Sequence, residues 1–206
     1  MRVLPLVLVH NFDYILKLHT KSSVFWRRGL ANPLCGSVMS VQRCMASLRD
    51  FKTIGMIGAG SHLYKETLGR KPNGYYLQKL TEKFRLPNPK HFHFIGGTMF
   101  WVRVSVIRPV FAKVQIQELW NGMNTPGTLD RYWYLLNYKD KGLSTVEQAE
   151  YHYLTVGMKA GRFKNCLDAR EKGAGGRCMA DGMIEHAYER LFGLMVEVSG
   201  FTIMGL

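Results

Sequence analysis

Apolar and polar positions along the first part of the chain follow two different periods. Residues 13–18 form a short apolar run with the length of a buried strand, and residues 53–58 form a second run that ends in glycine. Between them, residues 37–51 carry apolar side chains three or four positions apart, which is the spacing of one helix face. The succession of strand, helix and strand predicts an α/β protein.

The pattern continues with a second helix and a broken strand. Residues 75–86 have helical spacing and follow an Asn-Gly pair that is typical of a turn. Residues 91–103 have strand character, but Gly96 and Gly97 interrupt it. Glycine inside a strand pattern indicates a bend or a close approach of backbone. We therefore expect two strands joined at these glycines.

The character of the chain changes at residues 129–165, where Tyr-rich helical segments replace the strands. We expect this stretch to be a helical insertion within a main α/β domain that comprises residues 1–128 and 166–206. A Gly-rich segment at residues 172–177 follows the insertion and is typical of a flexible linker.

A final helix is predicted from Gly182 to about Val198, with Asp181 as its N-cap. Its buried face would be formed by apolar residues spaced three and four apart, namely Ile184, Ala187, Leu191, Leu194 and Val198. The opposite face carries a stripe at i, i+3, i+4 and i+7, namely His186, Glu189, Arg190 and Gly193. This stripe is either a solvated face with local ion pairs or part of a functional site.

Composition permits one sizeable core and points to an anionic ligand. The chain has 206 residues, 47% of them hydrophobic, and a formal net charge of +13. Such a surface attracts nucleotide diphosphates, nucleic acid or an acidic membrane leaflet, and charge alone does not choose among them. The sequence contains no zinc-finger, helix-turn-helix or RNA-binding motif, so we do not expect a nucleic-acid partner.

The cysteines and the apolar runs bear on the cellular environment. The four cysteines show neither a Cys-x-x-Cys pair nor zinc-ligand spacing, which is typical of reduced thiols in a cytoplasmic protein. The apolar run at residues 3–9 is short, holds a proline and lacks a cleavage site for signal peptidase. No run approaches the roughly 20 apolar residues of a membrane helix. We expect a cytoplasmic protein.

Three segments stand out: residues 12–22, the Gly-Gly-Thr-Met-Phe-Trp-Val-Arg segment at residues 96–103, and the Asp-Gly…His-x-x-Glu-Arg-Leu-Phe pattern at residues 181–193. Together they resemble the rhamnan synthesis F family of glycosyltransferases. The resemblance covers about residues 2–110 and 178–200. It implies a GT-A-like, Rossmann-like domain that moves a sugar, rhamnose for example, from a nucleotide-diphosphate donor to a growing surface polysaccharide.

The resemblance also implies partners and a truncation. The acceptor would be a polysaccharide or a lipid-linked glycan, with peripheral association at the inner face of the membrane. A full family domain extends further upstream, so we expect the chain to be truncated at its N-terminus relative to the family. The segment His-Tyr-Leu-x-x-Gly-x-x-x-Gly-Arg at residues 152–162 resembles a small module that accompanies many polysaccharide glycosyltransferases.

Donor binding is predicted where the first strand ends, because open α/β sheets bind ligands at the carboxyl ends of their strands. A departing diphosphate needs positive charge or hydrogen-bond donors. No Asp-x-Asp metal motif occurs, so a cationic cluster would replace the metal, and the metal requirement stays open. A solvated loop that opens the next helix is the alternative. The predicted donor-binding residues are Asp13, His19, Thr20, Lys21, Gly97 and Thr98.

Catalytic and sugar-binding residues are predicted from the other two segments. A carboxylate or an imidazole must take the proton of the acceptor hydroxyl. The resemblance makes Asp181 the first candidate and Glu189 the second, with His186 as base or orienting residue; a simple helix cap is the alternative for Asp181. The predicted sugar-binding residues are Trp101, Arg103 and Arg190, and a purely structural role is the alternative for both Trp101 and Arg103.

Two further interpretations stay open. The chain could be a carbohydrate-binding or assembly module that has lost catalysis together with the upstream segment. His91 and His93 share a strand face, but two ligands without a third are weak support for a metal site, and a packed or solvated pair is the preferred interpretation.

Overall fold

A computed structural model describes residues 10–19, 23–67, 73–111, 129–138, 142–163 and 184–206. Six strands occur in these ranges: β1 Tyr14–Lys17, β2 Ile54–Gly58, β3 Leu63–Thr67, β4 His91–Ile95, β5 Phe100–Arg103 and β6 Thr202–Gly205. The α-helices described are α1 Val24–Cys35, α2 Val38–Asp50, α3 Gly74–Phe84, α4 Val104–Phe111, α5 Arg131–Asn137, α6 Val146–His152 and α7 Ile184–Val198.

Four of the strands form a mixed sheet in the order β1-β5-β2-β6. Strands β1 and β2 are both antiparallel to β5, and β6 is parallel to β2. Strands β1, β2 and β6 therefore run in one direction, and their carboxyl ends, at Lys17, Gly58 and Gly205, meet the first residue of β5 at one edge. We call this edge the carboxyl edge.

The remaining two strands, β3 and β4, pair antiparallel in a separate two-stranded sheet. A three-residue 3-10 turn, Gly60–His62, carries the chain from β2 into β3. The N–H of Gly96, just after β4, donates to the carbonyl of His62 at 2.9 Å. The 3-10 turn therefore joins the two-stranded sheet to the carboxyl edge, and the residue that follows β4 is hydrogen-bonded to the same turn.

Helices cover both faces of the main sheet, as the α/β class requires. On one face, α3, α4 and α7 enclose the largest apolar cluster, which includes Met56 and Val102. On the other face, α1 and α2 pack over Ile57 and the partly buried Trp101. The α/β class expected from the strand and helix pattern is confirmed.

The helix predicted over residues 37–51 is present as α2, but its apolar spacing identified the buried face only in part. Cys44, Ser47 and Leu48 are buried, whereas Val38 is 73% exposed. Cys44 lies against α1, where its thiol contacts the Leu34 carbonyl at 3.8 Å, and burial raises the pKa of this thiol above its ordinary value. Apolar spacing predicts a helix, while the neighbours decide which face is covered.

Helix α7 confirms the predicted buried positions Ala187, Leu191 and Leu194. Its other face is also covered, because it packs closely on β4. A Cβ atom at Gly193 would lie 2.6 Å from the Cα of Phe94 and would overlap the His93 carbonyl. Gly193 therefore permits close contact between the helix and the strand. Val198, at the end of the helix, is half-buried.

The described residues between 129 and 163 contain helices and no strand, as predicted, and have a small core of their own. Helices α5 and α6 and a π-helical turn, Tyr153–Gly157, bury an apolar cluster around Tyr134. The carboxylate of Asp130 caps α5 through the Trp133 N–H at 2.9 Å and accepts a hydrogen bond from the Tyr76 hydroxyl on α3. The domain boundaries proposed from the sequence stay a prediction.

Two observations concern the thiols and the bilayer. Cys35 and Cys44 are free cysteines, and Cys166 and Cys178 lie outside the described residues. Within the ranges given above, no helix combines the length and the apolar character needed to cross a bilayer.

Two helical glycines provide a matched test of the α7 packing. We expect Gly193→Ala to lower the free energy of unfolding by about 2 to 3 kcal/mol, because the new methyl group meets backbone that cannot rotate away. In α1, a Cβ atom at Gly29 would meet its nearest neighbour, the His62 ring, at 3.8 Å. Gly29→Ala should therefore stabilise the protein by about 0.5 to 1 kcal/mol through helix propensity.

Urea denaturation of both variants measures the two effects. A Gly193→Ala variant as stable as Gly29→Ala would contradict the close approach of α7 and β4.

Candidate functional site

The carboxyl edge is organised around a strained turn that joins β4 to β5. The turn comprises Gly96, Gly97 and Thr98, and we call it the edge turn. Gly97 and Thr98 have φ angles of +84° and +53°. Glycine tolerates this left-handed backbone, but a β-branched threonine rarely adopts it. Because such strain persists only when neighbouring structure enforces it, and clusters at functional sites, the edge turn is a candidate site.

A carboxylate from α7 holds this turn. The Oε1 atom of Glu189 accepts a hydrogen bond from the N–H of Gly97, 92 positions away in sequence. Glu189 is half-buried. Glu189, the second candidate for the catalytic carboxylate, therefore binds the turn that holds the predicted donor-binding residues Gly97 and Thr98.

A cation from β1 lies on the same turn. The ammonium group of Lys17 donates to the carbonyl of Thr98 at 3.0 Å, and it lies 5.9 Å from the ring centre of Phe100. Lys17 is not among the site residues predicted from the sequence. The available signal was its position as the single charged side chain in the apolar run of residues 14–18, two positions before His19.

Arg190, predicted to bind sugar, is instead found inside the protein. It is 5% exposed, and its Nε atom pairs with Glu66 of β3 at 2.8 Å. Its guanidinium group also lies 4.5 Å from the ring centre of Phe94 and donates to the His186 carbonyl at 3.0 Å. The alternative interpretation of the stripe as a solvated face with local ion pairs is wrong, since this pair joins two elements 124 positions apart.

Trp101 and Arg103 share one face of β5, as predicted from strand periodicity, and both are covered by α1 and α2. The indole N–H of Trp101 donates to the Leu34 carbonyl at 3.1 Å. The guanidinium group of Arg103, which is 9% exposed, donates to the carbonyls of Ile54 at 2.7 Å and Phe51 at 3.2 Å. Their role in sugar binding stays a prediction, and their polar groups are occupied by backbone carbonyls.

The other predicted site residues lie in different places, and some of them are outside the described residues. Asp13 precedes β1 and so lies about 13 Å along the chain from Lys17, at the opposite end of the strand. His19 is exposed and follows β1 at the carboxyl edge, and His186 is half-buried on α7. Thr20, Lys21 and Asp181 lie outside the described residues.

His91 and His93 engage neighbouring side chains. His93 Nδ1 lies 2.7 Å from Glu197 of α7, and His91 Nδ1 lies 3.2 Å from the Thr67 hydroxyl. In the part of the chain that the structure describes, no three His, Cys, Asp or Glu side chains are grouped so as to hold a metal ion.

Comparisons with known proteins assign no family. No protein-family model matches the chain, and no curated protein and no solved structure matches it either. The resemblance to the rhamnan synthesis F family therefore rests on the three sequence segments, and the GT-A-like architecture that it implies stays a proposal.

The buried pair between Glu66 and Arg190 gives a test of the site's framework. We expect Glu66→Gln to lower the free energy of unfolding by about 3 to 5 kcal/mol, because a buried guanidinium group would lose its counter-charge. The matched control is Glu150→Gln, which removes the pair between Arg131 and Glu150, whose side chains are 47% and 46% exposed. This change should cost less than about 1 kcal/mol.

Chemical denaturation of both single variants and of the double variant Glu66→Leu/Arg190→Met measures the pair. The double variant should recover most of the loss, since it leaves no uncompensated charge. Equal, small effects of Glu66→Gln and Glu150→Gln would show that the pair with Arg190 does not support the framework.

Proposed function

We propose that this chain is a GT-A-like glycosyltransferase that acts at the edge turn. It moves a sugar, rhamnose in the first instance, from a nucleoside-diphosphate donor to a polysaccharide acceptor. The supporting observation is that a cation and a carboxylate, Lys17 and Glu189, are bound to adjacent residues of one strained turn, Thr98 and Gly97.

The position of these groups supports a phosphate-bearing donor. In open α/β sheets, ligands bind beyond the carboxyl ends of the strands, and β1, β2 and β6 all end at this edge. Lys17, with the exposed His19 two residues later, supplies positive charge there. The formal net charge of +13 favours the approach of an anionic donor over the whole surface.

The reaction in this proposal is a direct displacement. The acceptor hydroxyl oxygen bonds to the anomeric carbon while the bond from that carbon to the diphosphate oxygen breaks. Lys17 and His19 stabilise the charge that develops on the departing diphosphate. Glu189 takes the hydroxyl proton, and the Gly97 N–H fixes the orientation of its carboxylate. Asp181 is the other candidate base.

Arg190 has a supporting role in this proposal. Its guanidinium group joins β3 to α7 next to Glu189, so it acts on the site through the backbone that it holds. The predicted sugar contact of Arg103 would compete with the three backbone carbonyls that it already binds, those of Leu48, Phe51 and Ile54. We therefore assign contact with the donor and acceptor to residues at the edge turn.

Two substitutions at the edge turn separate donor binding from proton transfer. Lys17→Met should weaken binding of thymidine- and uridine-diphosphate sugars by about tenfold or more, because the diphosphate loses a cation. Glu189→Gln keeps an oxygen that can accept from the Gly97 N–H but cannot take a proton. It should bind the donor normally and reduce transfer by about a hundredfold or more.

Calorimetric titration with and without manganese measures donor binding, and a radiolabelled-sugar assay measures transfer. Lys79→Met is the matched control, since Lys79 is 61% exposed on α3 and pairs with Glu82. Unchanged donor affinity in Lys17→Met, or full transfer in Glu189→Gln, would remove that residue from the mechanism. A folded chain that binds glycans but no nucleotide sugar would instead support the non-catalytic carbohydrate-binding module.

A further inference from the structure

Four aromatic rings from separate elements form a continuous row beside the edge turn. Trp26 comes from the first turn of α1, His62 from the 3-10 turn, Tyr64 from β3 and Phe94 from β4. Successive ring centres are 6.0 Å, 6.4 Å and 5.7 Å apart. We call these residues the aromatic row.

Two of these residues are exposed to solvent. Trp26 is 41% exposed and Tyr64 is 46% exposed, whereas Phe94 at the inner end is buried. Large aromatic side chains that stay exposed within one patch are typical of a binding surface.

The inner end of the row reaches the candidate site. A Cβ atom at Gly96 would lie 2.5 Å from Cε2 of the Tyr64 ring, so this ring lies directly on the edge turn. The same added atom would lie 3.7 Å from Oε1 of Glu189. A ligand that covers the Tyr64 ring would therefore extend toward the carboxylate proposed as the base.

Hydrogen bonds fix the middle of the row and add polar groups. The indole N–H of Trp26 donates to Nε2 of His62, and Nδ1 of His62 lies 2.9 Å from the Ser61 hydroxyl. Because Nε2 accepts, the proton of the neutral imidazole is on Nδ1 and is donated to Ser61. The Ser61 hydroxyl hydrogen then points away from His62 and can donate to a ligand.

We propose that Trp26, His62 and Tyr64 form the acceptor subsite, which binds the pyranose rings of a glycan. This inference rests on the proposed function, since it names the substrate that approaches Glu189. A pyranose has an apolar C–H face that stacks on an aromatic ring and a rim of hydroxyl groups that need hydrogen-bond partners. The aromatic row supplies both kinds of contact. The aromatic residues Trp26 and Tyr64 both neighbour His62, which together with Ser61 supplies the polar groups.

Binding of free oligosaccharides tests the subsite without any donor. The probes are rhamnose trisaccharides, with glucose and N-acetylglucosamine trisaccharides as further arms. Saturation-transfer NMR and calorimetry measure their binding to the protein. We expect at least one probe to bind, and Trp26→Ala and Tyr64→Ala each to weaken its affinity tenfold or more. Phe25→Ala is the matched control, since Phe25 is 90% exposed on the same helix turn but lies outside the aromatic row.

Conservative variants distinguish a loss of glycan contact from a loss of the fold. Trp26→Phe and Tyr64→Phe keep a ring and should retain most of the affinity, while thermal unfolding shows which variants are folded. If Trp26→Ala does not fold, Tyr64→Ala together with the two phenylalanine variants decides the question.

The outcomes distinguish this subsite from the proposed function. Donor binding without glycan binding, or glycan binding that is the same in Tyr64→Ala and Phe25→Ala, would overturn the subsite and leave the donor site standing. Glycan binding that depends on Trp26 and Tyr64 without any donor binding would support the subsite and count against transferase activity.

Discussion

The buried ion pair between Glu66 and Arg190 is the interaction on which the carboxyl edge depends. The two charges depend on each other, because removal of either one leaves the other inside the protein without compensation. It joins β3 to α7, and the next residue toward the N-terminus of α7, Glu189, holds the edge turn. Two consecutive residues of one helix therefore fix both the small sheet and the turn.

This arrangement explains how a strained backbone can persist at Thr98. A left-handed β-branched residue costs of the order of 1 to 3 kcal/mol unless its surroundings enforce it. Here the N–H of Gly97 is bound to Glu189 and the carbonyl of Thr98 is bound to Lys17, so both sides of the turn are held by side chains from other elements. The opposite charges of these side chains are kept at fixed positions before any ligand arrives, which is the condition for electrostatic catalysis.

Sequence periodicity predicted the local elements well and their partners poorly. It placed the strands around residues 14–17 and 54–58, the helices α2, α3 and α7, and the common face of Trp101 and Arg103. It also placed Glu189 and Arg190 on one stripe. It could not show that Arg190 faces Glu66, because that contact depends on how the small sheet packs against α7. The same limit applies to the aromatic row, whose members come from four elements that only tertiary structure brings together.

The contrast between two tryptophans shows why residue type alone does not identify a sugar site. The sequence favoured Trp101, which belongs to a recognisable segment, but its indole N–H is bound to the Leu34 carbonyl beneath α1. Trp26 belongs to no such segment, yet it is 41% exposed at the outer end of the aromatic row and is oriented by His62. Stacking requires an accessible face whose orientation is already fixed, since ordering the ring on binding would cost part of the affinity. Trp26 is exposed and is oriented by His62, whereas Trp101 is only half-exposed and its N–H is already bound beneath α1. Exposure and orientation at the carboxyl edge therefore favour Trp26 as the first residue to test for stacking on a glycan.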